Sequence, residues 1–407
     1  MKILFLHDSF PPQNFGGSVI STYDIAQGMK SAGHEVFVVT TCRKGEEAGE
    51  FYYNGLKVLT IASDYKARWR AYVSLYNAPV IRKLEEILKN INPDVVHINN
   101  VHHYLSYHSI KLAKVYSKTT VVTLRDAMSF SFGKLETEKY LKNLDAHLTW
   151  LDSLKQARKR WNPLRNLFIK KYLGYADKVF AVSQALKKAL EQNGIKGVGV
   201  IHSGALVDSW HVDEEEVAQF RQQYNLENKK VILFGGRLSE AKGGFKALEA
   251  LALVVKESPD AVLLVMAKMD KNAETMKERA NELGIGEHLV FTGWIEREKT
   301  KLIYCLAEIV LVPSICFDAF PRIVLEASAS GKPIVGTCYG GASEVIVDGV
   351  TGYVVNPFNV KIMADKILDL LKSPEKAKAF GQAGSERVRT KFNLEDMVRK
   401  YATAYGI

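Results

Sequence analysis

The 407-residue sequence has few cysteines and no long apolar run. Its four cysteines, Cys42, Cys305, Cys316 and Cys338, form no C-x-x-C pair and show no metal-ligand spacing, so we predict reduced thiols in a cytosolic protein. No stretch of about 18 consecutive apolar residues occurs, which argues against a membrane-spanning helix. The first apolar run is interrupted at His7, which is too early for a signal peptide.

Positive charge is concentrated in the first half of the chain. Residues 1–205 contain 29 Lys and Arg against 17 Asp and Glu, whereas residues 206–407 contain 26 against 28. From Ser153 to Ala176, here called the basic segment, seven basic residues and no acid are interleaved with aromatic residues such as Trp161 and Phe168. Two interpretations have equal weight: contact with an anionic membrane surface, or a solvated helical hairpin packed on its domain. Nucleic acid is not a predicted partner, because no nucleic-acid-binding motif accompanies the charge.

Strand-like and helix-like segments alternate along both halves, which predicts two α/β domains with parallel sheets. In the first half, strands are predicted at 2–7, 35–40, 57–61, 94–98, 119–124, 178–182 and 198–201. In the second half, they are predicted at 230–234, 261–266, 289–291, 309–312, 333–337 and 353–355. No internal repeat or low-complexity tract is visible. We expect domains at 1–205 and 206–390, a final helix within 391–407, and ligands at the carboxyl ends of the strands.

The stretch PSICFDAFPRIVLEASASG, residues 313–331, places two acids at the entry of a predicted helix. Asp318 precedes the helix, and Glu326 lies one to two turns inside it. The backbone amides that would face an anion there are those of Arg322 and Ile323. The spacing predicts a sugar nucleotide held at a helix N-terminus, while a merely buried and paired Glu326 is an equally weighted alternative.

Three other loops follow predicted strands. In HDSFPPQNFGG, Gly16 and Gly17 allow close backbone approach to a ligand, or they form a simple turn. In GGRLSEAKGG, Arg237 and Lys242 would neutralise a diphosphate, with ordinary solvation of the loop as the alternative. Trp294 lies in a turn whose backbone would read the edge of a base, or it packs as an ordinary aromatic residue.

Together these motifs resemble the retaining family-4 glycosyltransferases of GT-B fold. GRLSEAKG is similar to the family's G-R-L-x-x-x-K-G loop, and DAFPRIVLEASASGKPIV is similar to its E-x7-E signature and the following G-x-P. PPQNFGGS, GHEVFVVT, ADKVFAVS and GGASEVIVDGVTGYVV are similar to further family segments in the same order. The resemblance covers nearly the whole chain. It implies an α/β protein with two Rossmann-like domains facing across a cleft, and a C-terminal helix that crosses back to the first domain.

The resemblance also implies a nucleoside diphosphate sugar of UDP or GDP type, bound mainly by the C-terminal domain. Arg237 and Lys242 would offset the charge that develops on the leaving diphosphate. Glu326 would accept hydrogen bonds from the ribose, and Asp318 would hold hydroxyls of the transferred sugar. In the family the anomeric configuration is retained and no protein nucleophile is required. The remaining donor-binding candidates are Gly16, Gly17, Trp294, Phe320, Arg322 and Ile323.

Three positions depart from the family pattern. Asp318 stands where the family usually has Glu, which retracts the carboxylate by roughly 1.3 to 1.5 Å and predicts an altered sugar preference. Pro321 removes an amide that would bind a sugar hydroxyl. Arg125 precedes Asp126 where many members have His-Asp, so it would hold phosphate or developing negative charge but cannot shuttle a proton, or else it pairs with an acid.

The acceptor is expected on the basic N-terminal domain. His97, His102 and His103 lie near the end of a predicted strand and, with Asp126, are candidates to contact the acceptor, although loop histidines are commonly plain surface residues. The sequence contains no D-x-D triplet, so we predict chemistry without a metal or other cofactor, in which basic side chains and helix amides supply the positive field.

These observations predict a cytosolic hexosyltransferase, peripheral at the inner face of the cell membrane, that transfers a sugar with retention to a glycan or lipid-linked acceptor. The predicted pathway is biosynthesis of a cell-surface polysaccharide or glycolipid. Two alternatives remain: a phosphorylase or epimerase of GT-B fold, and a non-catalytic nucleotide-sugar-binding or membrane scaffold protein.

Overall fold

A computed structural model describes residues 1–43, 48–210, 212–235 and 238–407. The chain divides into two compact units, one formed by Met1–Ser203 with Leu394–Ile407 and the other by Gly204–Asn393. The last helix therefore packs in the first unit, after the chain has completed the second. In the described ranges, no helix combines the length and apolar character needed to cross a bilayer.

The first unit is built on an eight-stranded sheet of order β3-β4-β2-β1-β5-β6-β7-β8. Its strands are β1 Lys2–Leu6, β2 Glu35–Cys42, β3 Gly49–Tyr53, β4 Leu56–Ala62, β5 Val95–Ile98, β6 Thr119–Leu124, β7 Lys178–Ala181 and β8 Val198–Val200. Its helices are α1 Gly17–Ser31, α2 Arg70–Val73, α3 Ala78–Ile91, α4 His108–Tyr116, α5 Glu138–Asn143, α6 Trp150–Ala157, α7 Arg165–Leu173 and α8 Gln184–Gln192. All neighbouring strands pair in parallel except β3 and β4.

The second unit contains a parallel six-stranded sheet of order β11-β10-β9-β12-β13-β14. Its strands are β9 Lys230–Gly235, β10 Ala261–Met266, β11 Leu289–Phe291, β12 Ile309–Val312, β13 Ile334–Thr337 and β14 Gly352–Val355. Its helices are α9 Glu214–Gln223, α10 Gly244–Val254, α11 Lys271–Glu282, α12 Thr300–Leu306, α13 Arg322–Ala329, α14 Ala342–Val345, α15 Val360–Lys372 and α16 Pro374–Lys391.

The final helix, α17 Leu394–Tyr405, is part of the core of the first unit. Gly28 of α1 permits this packing, because a Cβ at that position would lie 2.4 Å from a methyl group of Val398. Tyr401 and Tyr405 are buried, and the Tyr401 hydroxyl lies 3.1 Å from the hydroxyl of Thr123 on β6. Helix α17 therefore covers the middle of the first sheet.

Every strand predicted from the sequence is present, with each end displaced by at most two residues. The prediction omitted β3, which forms an antiparallel hairpin with β4. Asn54 and Gly55 connect the two strands with φ values of 46° and 76°, as a type I′ turn requires. In both sheets the strand order changes direction beside a central strand, β1 in one and β9 in the other, which is where ligands bind in open α/β sheets.

Candidate active site

Two glycines bring the loops after β9, β12 and β13 of the second unit into close contact. Gly243 has a φ of 76°, and a Cβ there would lie 1.9 Å from the carbonyl oxygen of Pro313. Gly340 has a φ of 75°, and a Cβ there would lie 1.9 Å from the carbonyl oxygen of Asp318. Gly341 also donates a 2.9 Å backbone hydrogen bond to that oxygen. The backbone of Asp318 is therefore fixed by an approach that only glycine allows.

The predicted sugar-binding acid and one predicted diphosphate-binding cation form an ion pair. The Lys242 ammonium group contacts the Asp318 carboxylate directly, and their side chains are 32% and 18% exposed. Both groups thus stay accessible to a ligand while they neutralise each other. The other predicted cation, Arg237, lies outside the described residues.

Glu326 is held by two side chains of the second unit. The Tyr304 hydroxyl donates a 2.8 Å hydrogen bond to one carboxylate oxygen, and Nε of Arg322 donates a 2.8 Å hydrogen bond to the other. Burial and the neighbouring Glu326 charge raise the pKa of the fully buried Tyr304 well above its usual range, so it acts as a donor. Glu326 is thus a paired acid, yet 20% of its side chain is exposed to accept further hydrogen bonds.

Of three further predicted donor-binding residues in the second unit, Trp294 and Phe320 lie in loops and Ile323 lies in the first turn of α13. Trp294 is 59% exposed, and the Lys268 ammonium group lies 4.4 Å from the centre of its ring. Phe320 packs against Phe392 with ring centres 5.8 Å apart. Ile323 is accommodated by Gly235, since a Cβ at Gly235 would lie 2.8 Å from its terminal methyl group. Helix α13 begins at Arg322, with Pro321 at the N-cap rather than in the first turn.

In the first unit, the glycine pair after β1 starts helix α1. Gly16 is the N-cap residue and Gly17 the first helical residue, and the N–H of Gly16 donates a 2.8 Å hydrogen bond to the side chain of Asn14. Helix α1 has no acidic residue in its first turn. Its N-terminus therefore presents backbone N–H groups at the carboxyl end of the sheet.

Arg125 and Asp126 diverge after β6. Arg125 is 8% exposed, its Nε donates a 2.9 Å hydrogen bond to Asn99, and its Nη1 lies 3.5 Å from the Ser203 hydroxyl. Asp126 remains 37% exposed and accepts hydrogen bonds from the Met128 N–H and from Asn100. Arg125, which was predicted to hold phosphate, is therefore a buried side chain, whereas Asp126 is accessible.

The three predicted acceptor histidines occupy two different environments. His97 is fully buried, and its ring nitrogens lie 2.8 Å from the Thr123 hydroxyl and 2.6 Å from the Tyr405 hydroxyl. Burial and then the charge of Arg125 lower its pKa well below the usual range. We therefore assign His97 to the contact between the sheet and α17 and do not retain it as an acceptor contact.

His102 and His103 lie beside Asp126. His102 Nε2 is 3.7 Å from the nearer Asp126 oxygen, and the two imidazole rings have centres 4.8 Å apart. Burial lowers the pKa of His103 to about 3 and that of His102 well below its usual range, so both rings are neutral near pH 7. Neutral imidazoles next to an accessible carboxylate suit recognition of hydroxyl groups.

Two family profiles match consecutive parts of the chain. The profile described as Glycosyltransferase Family 4 matches residues 15–208, and the profile described as Glycosyl transferases group 1 matches residues 216–387. The chain belongs to the family-4 glycosyltransferases. The first match includes Gly16, Gly17 and the histidine cluster formed by His102 and His103, and the second includes Lys242, Asp318 and Glu326.

Solved structures share the GT-B fold of this glycosyltransferase. Sucrose-phosphate synthase from Thermosynechococcus elongatus has a TM-score of 0.80 at 20% identity, covering 100% of this chain and 98% of that chain. HepE from Anabaena, in complex with UDP and glucose, has a TM-score of 0.74 at 19% identity, covering 100% and 99%. At these identities the likeness concerns the fold.

Two curated relatives match over about half of the chain. The GDP-mannose-dependent alpha-(1-6)-phosphatidylinositol monomannoside mannosyltransferase of Mycolicibacterium smegmatis is 32% identical over 187 residues, which are 44% of this chain and 49% of the relative. Spore coat protein SA of Bacillus subtilis is 27% identical over 216 residues, 50% of this chain and 57% of the relative. The glycosyltransferase thus spans about half the length of these first relatives.

The basic segment of the glycosyltransferase folds into α6, a short turn and α7, packed on the first unit. Its buried side includes Arg165 and Ile169, which are 3% and 0% exposed. The hydroxyl of Tyr72 donates a 3.0 Å hydrogen bond to the carbonyl of Trp161 and ties the segment to α2. Apolar side chains nevertheless remain on the outer surface, namely Leu164, Leu167 and Phe168, which are 53%, 65% and 39% exposed. The segment is therefore helical and partly packed on its unit, as one interpretation predicted, but its outer face is both basic and apolar.

Sequence reasoning missed several polar residues at these sites. Tyr304 holds Glu326 from α12 but has no motif of its own. Asp8 follows β1 and is 7% exposed, and Arg70 begins α2 beside the histidine cluster. The sequence offered one signal, the adjacent polar residues His7 and Asp8 at the end of a strand. Polar residues at this edge of an α/β sheet commonly contact a ligand or support the loops that bind it.

Proposed function

We propose that this glycosyltransferase is a retaining hexosyltransferase that uses a UDP- or GDP-sugar and a glycan or lipid-linked acceptor. The proposal is carried by two sets of polar side chains in the second unit. Lys242 with Asp318 suits the diphosphate and the transferred sugar, and Glu326 with its two donors suits the ribose. Related proteins support a nucleotide sugar, since HepE forms a complex with UDP-glucose and the mannosyltransferase is GDP-mannose-dependent.

In the proposed reaction, Lys242 and the N-terminus of α13 stabilise the negative charge on the leaving diphosphate. Arrival of the diphosphate draws Lys242 away from Asp318, which frees the Asp318 carboxylate to accept hydrogen bonds from sugar hydroxyls. The bond from the sugar C1 to the phosphate oxygen breaks while the acceptor oxygen bonds C1 on the same face. The acceptor proton passes to the leaving phosphate oxygen, so no protein nucleophile and no metal ion are needed.

A thermal-shift panel of UDP, GDP, ADP and their sugars tests the donor proposal. A ligand at 100 times its Kd stabilises the folded state by roughly 2.7 kcal/mol. We expect one nucleotide series to raise the melting temperature, and we expect Lys242→Gln and Glu326→Gln to abolish that shift. Lys246→Gln is the matched control, because Lys246 pairs with Glu249 on α10. No shift with any nucleotide would contradict the proposal.

Product analysis separates transfer from the other activities of the fold. With the donor found in the panel, a transferase releases the nucleoside diphosphate and hydrolyses the donor slowly when water replaces the acceptor. An epimerase would return an isomeric nucleotide sugar, a phosphorylase would require phosphate, and a non-catalytic protein would bind without turnover. Activity is expected to persist in EDTA, and a loss that Mg²⁺ or Mn²⁺ restores would contradict the metal-independent reaction.

We further propose that the protein is cytoplasmic and docks peripherally on the inner face of the cell membrane through its basic segment. The outer face of this segment continues onto Trp69 and Tyr72, which are 51% and 48% exposed. Aromatic rings and basic side chains together suit the interface of an anionic bilayer. Reversing the charges of the basic segment should abolish sedimentation with anionic liposomes; unchanged sedimentation would contradict docking there. The charges to be reversed belong to Lys155, Arg158, Lys159 and Arg160.

A further inference from the structure

Arg70 carries a half-buried guanidinium group at the carboxyl end of the first sheet. Its Nε lies 3.5 Å from the carbonyl oxygen of His102, a long contact, and within the described ranges Arg70 forms no ion pair with a carboxylate. Burial lowers the pKa of Arg70, and the nearby Asp126 and Asp8 offset this effect only in part. A partly desolvated guanidinium of this kind gains most from a bound oxyanion.

The loop of residues 102–105, whose His102 carbonyl oxygen Arg70 contacts, is held by hydrogen bonds from other parts of the first unit. Tyr65 and Asn77 donate hydrogen bonds of 2.6 and 2.7 Å to two carbonyl oxygens of the loop. The Asp8 carboxylate accepts hydrogen bonds of 2.7 to 2.8 Å from three consecutive N–H groups, those of His103, Tyr104 and Leu105. The Asp8 carboxylate therefore serves to hold the loop whose His102 carbonyl oxygen Arg70 contacts.

Hydroxyl-binding groups stand next to this cation. Asp126 is 37% exposed, and Arg70 is close enough to lower its pKa, against the larger opposite effect of burial. His103 is half-buried and neutral. Arg70 is thus suited to bind an anion, while Asp126 and His103 beside it are suited to bind hydroxyl groups.

We propose that Arg70 forms an oxyanion subsite, so that the acceptor carries a phosphate group near the hydroxyl that receives the sugar. The inference rests on the proposed function, because it defines the acceptor of that reaction. Arg70 binds two phosphate oxygens through its planar fork, while Asp126 and His103 bind the neighbouring hydroxyls. Trp69 and Tyr72, on either side of Arg70 in sequence, are exposed, so the phosphate belongs either to a soluble sugar phosphate or to a lipid.

The full chain tests the proposal without any turnover. Inorganic phosphate and glycerol phosphate are titrated while the histidine ring signals are followed by NMR, with glycerol as the uncharged probe. Vesicles of phosphatidic acid, compared with phosphatidylcholine, test the lipid source by sedimentation. The variants are Arg70→Gln, Arg70→Lys and the matched control Arg68→Gln, since Arg68 is exposed and its guanidinium lies 5.6 Å from the Trp69 ring centre.

We expect phosphate to shift the signals of His102 and His103, with affinity reduced roughly 10- to 100-fold in Arg70→Gln, less in Arg70→Lys, and unchanged in Arg68→Gln. Arg70 dependence with the soluble probes assigns a sugar phosphate, and dependence with vesicles alone assigns a lipid phosphate. Equal binding by wild type and folded Arg70→Gln in both arms overturns the subsite. Phosphate binding that depends on Arg70, in a protein that binds no nucleotide sugar, would refute the proposed function and not the subsite.

Discussion

Acidification should destabilise the first unit, because its fold buries histidines as neutral rings. His7, His97 and His102 are 2%, 0% and 7% exposed, and burial lowers their pKa values far below 6.5, to about 3 for His7. Below pH 6.5 the unfolded chain protonates these rings and the folded chain does not. The unfolded state therefore binds more protons, and the free energy of unfolding falls as the pH drops.

The size of this effect follows from the same shifts. Between about pH 7.5 and about pH 5.5, each ring that stays neutral in the fold costs about 1.4 kcal/mol, or about 4 kcal/mol for three. Asp8 opposes this change, because burial raises its pKa to about 6, and its protonation returns about 0.8 kcal/mol. For these four groups alone, the loss of about 3 kcal/mol is a large part of the roughly 5 to 15 kcal/mol that stabilises a typical domain.

Hydrogen exchange followed by mass spectrometry measures this effect for each unit separately. After correction for the intrinsic exchange rate, peptides of β1 and β5 should lose protection at the lower pH relative to peptides of β9 and β12. The His7→Asn variant is the control, since it keeps an acceptor for the Ser9 N–H, which lies 3.1 Å from Nδ1 of His7, but cannot titrate. In this variant the free energy of unfolding should depend less steeply on pH, by up to the contribution of one titrating histidine. If protection in the two units changed equally between the two pH values, the predicted acid destabilisation of the first unit would be wrong.

Three further predictions concern the second unit. Tyr304→Phe removes a hydrogen bond to Glu326, so nucleotide affinity measured by calorimetry should fall at least ~10-fold; an unchanged Kd would contradict the role of Glu326. In Gly340→Ala, the new methyl group clashes with Asp318, and the residue is also strained by its positive φ. Gly349→Ala is the control, because Gly349 has a φ of 71° but no atom lies within 4 Å of the new methyl group. Gly340→Ala should therefore lower the denaturation midpoint more than Gly349→Ala does. Equal midpoints would contradict the clamp. Asp318→Glu should change the ratio of kcat/KM between two donor sugars, and an unchanged ratio would show that the shorter acid does not set sugar preference.

Local sequence patterns predicted the two sheets well, because buried parallel strands are short apolar runs bounded by loops. Strand β3 was not predicted, although Phe51, Tyr52 and Tyr53 are aromatic residues of the kind that strands favour. The pair Asn54 and Gly55 carries the information, since both residues adopt the positive φ of a tight hairpin.

The site was only partly predictable. The sequence motifs identified Lys242, Asp318 and Glu326. Lys242 lies within one continuous loop motif, and the two acids lie at one helix entry. Tyr304 lies on another helix, and no local pattern shows that its hydroxyl reaches Glu326. The opposite directions of Arg125 and Asp126 likewise depend on tertiary packing, since adjacent residues at a strand end point to different sides.

The stereochemistry of donor hydrolysis tests the central claim most directly. In EDTA, the pure protein is incubated with the nucleotide sugar that stabilises it, and the first released sugar is observed by proton NMR before it mutarotates. We expect slow release of sugar with the anomeric configuration of the donor, and loss of this activity in Asp318→Ala. Release of the inverted anomer, or hydrolysis at the wild-type rate in Asp318→Ala, would contradict it.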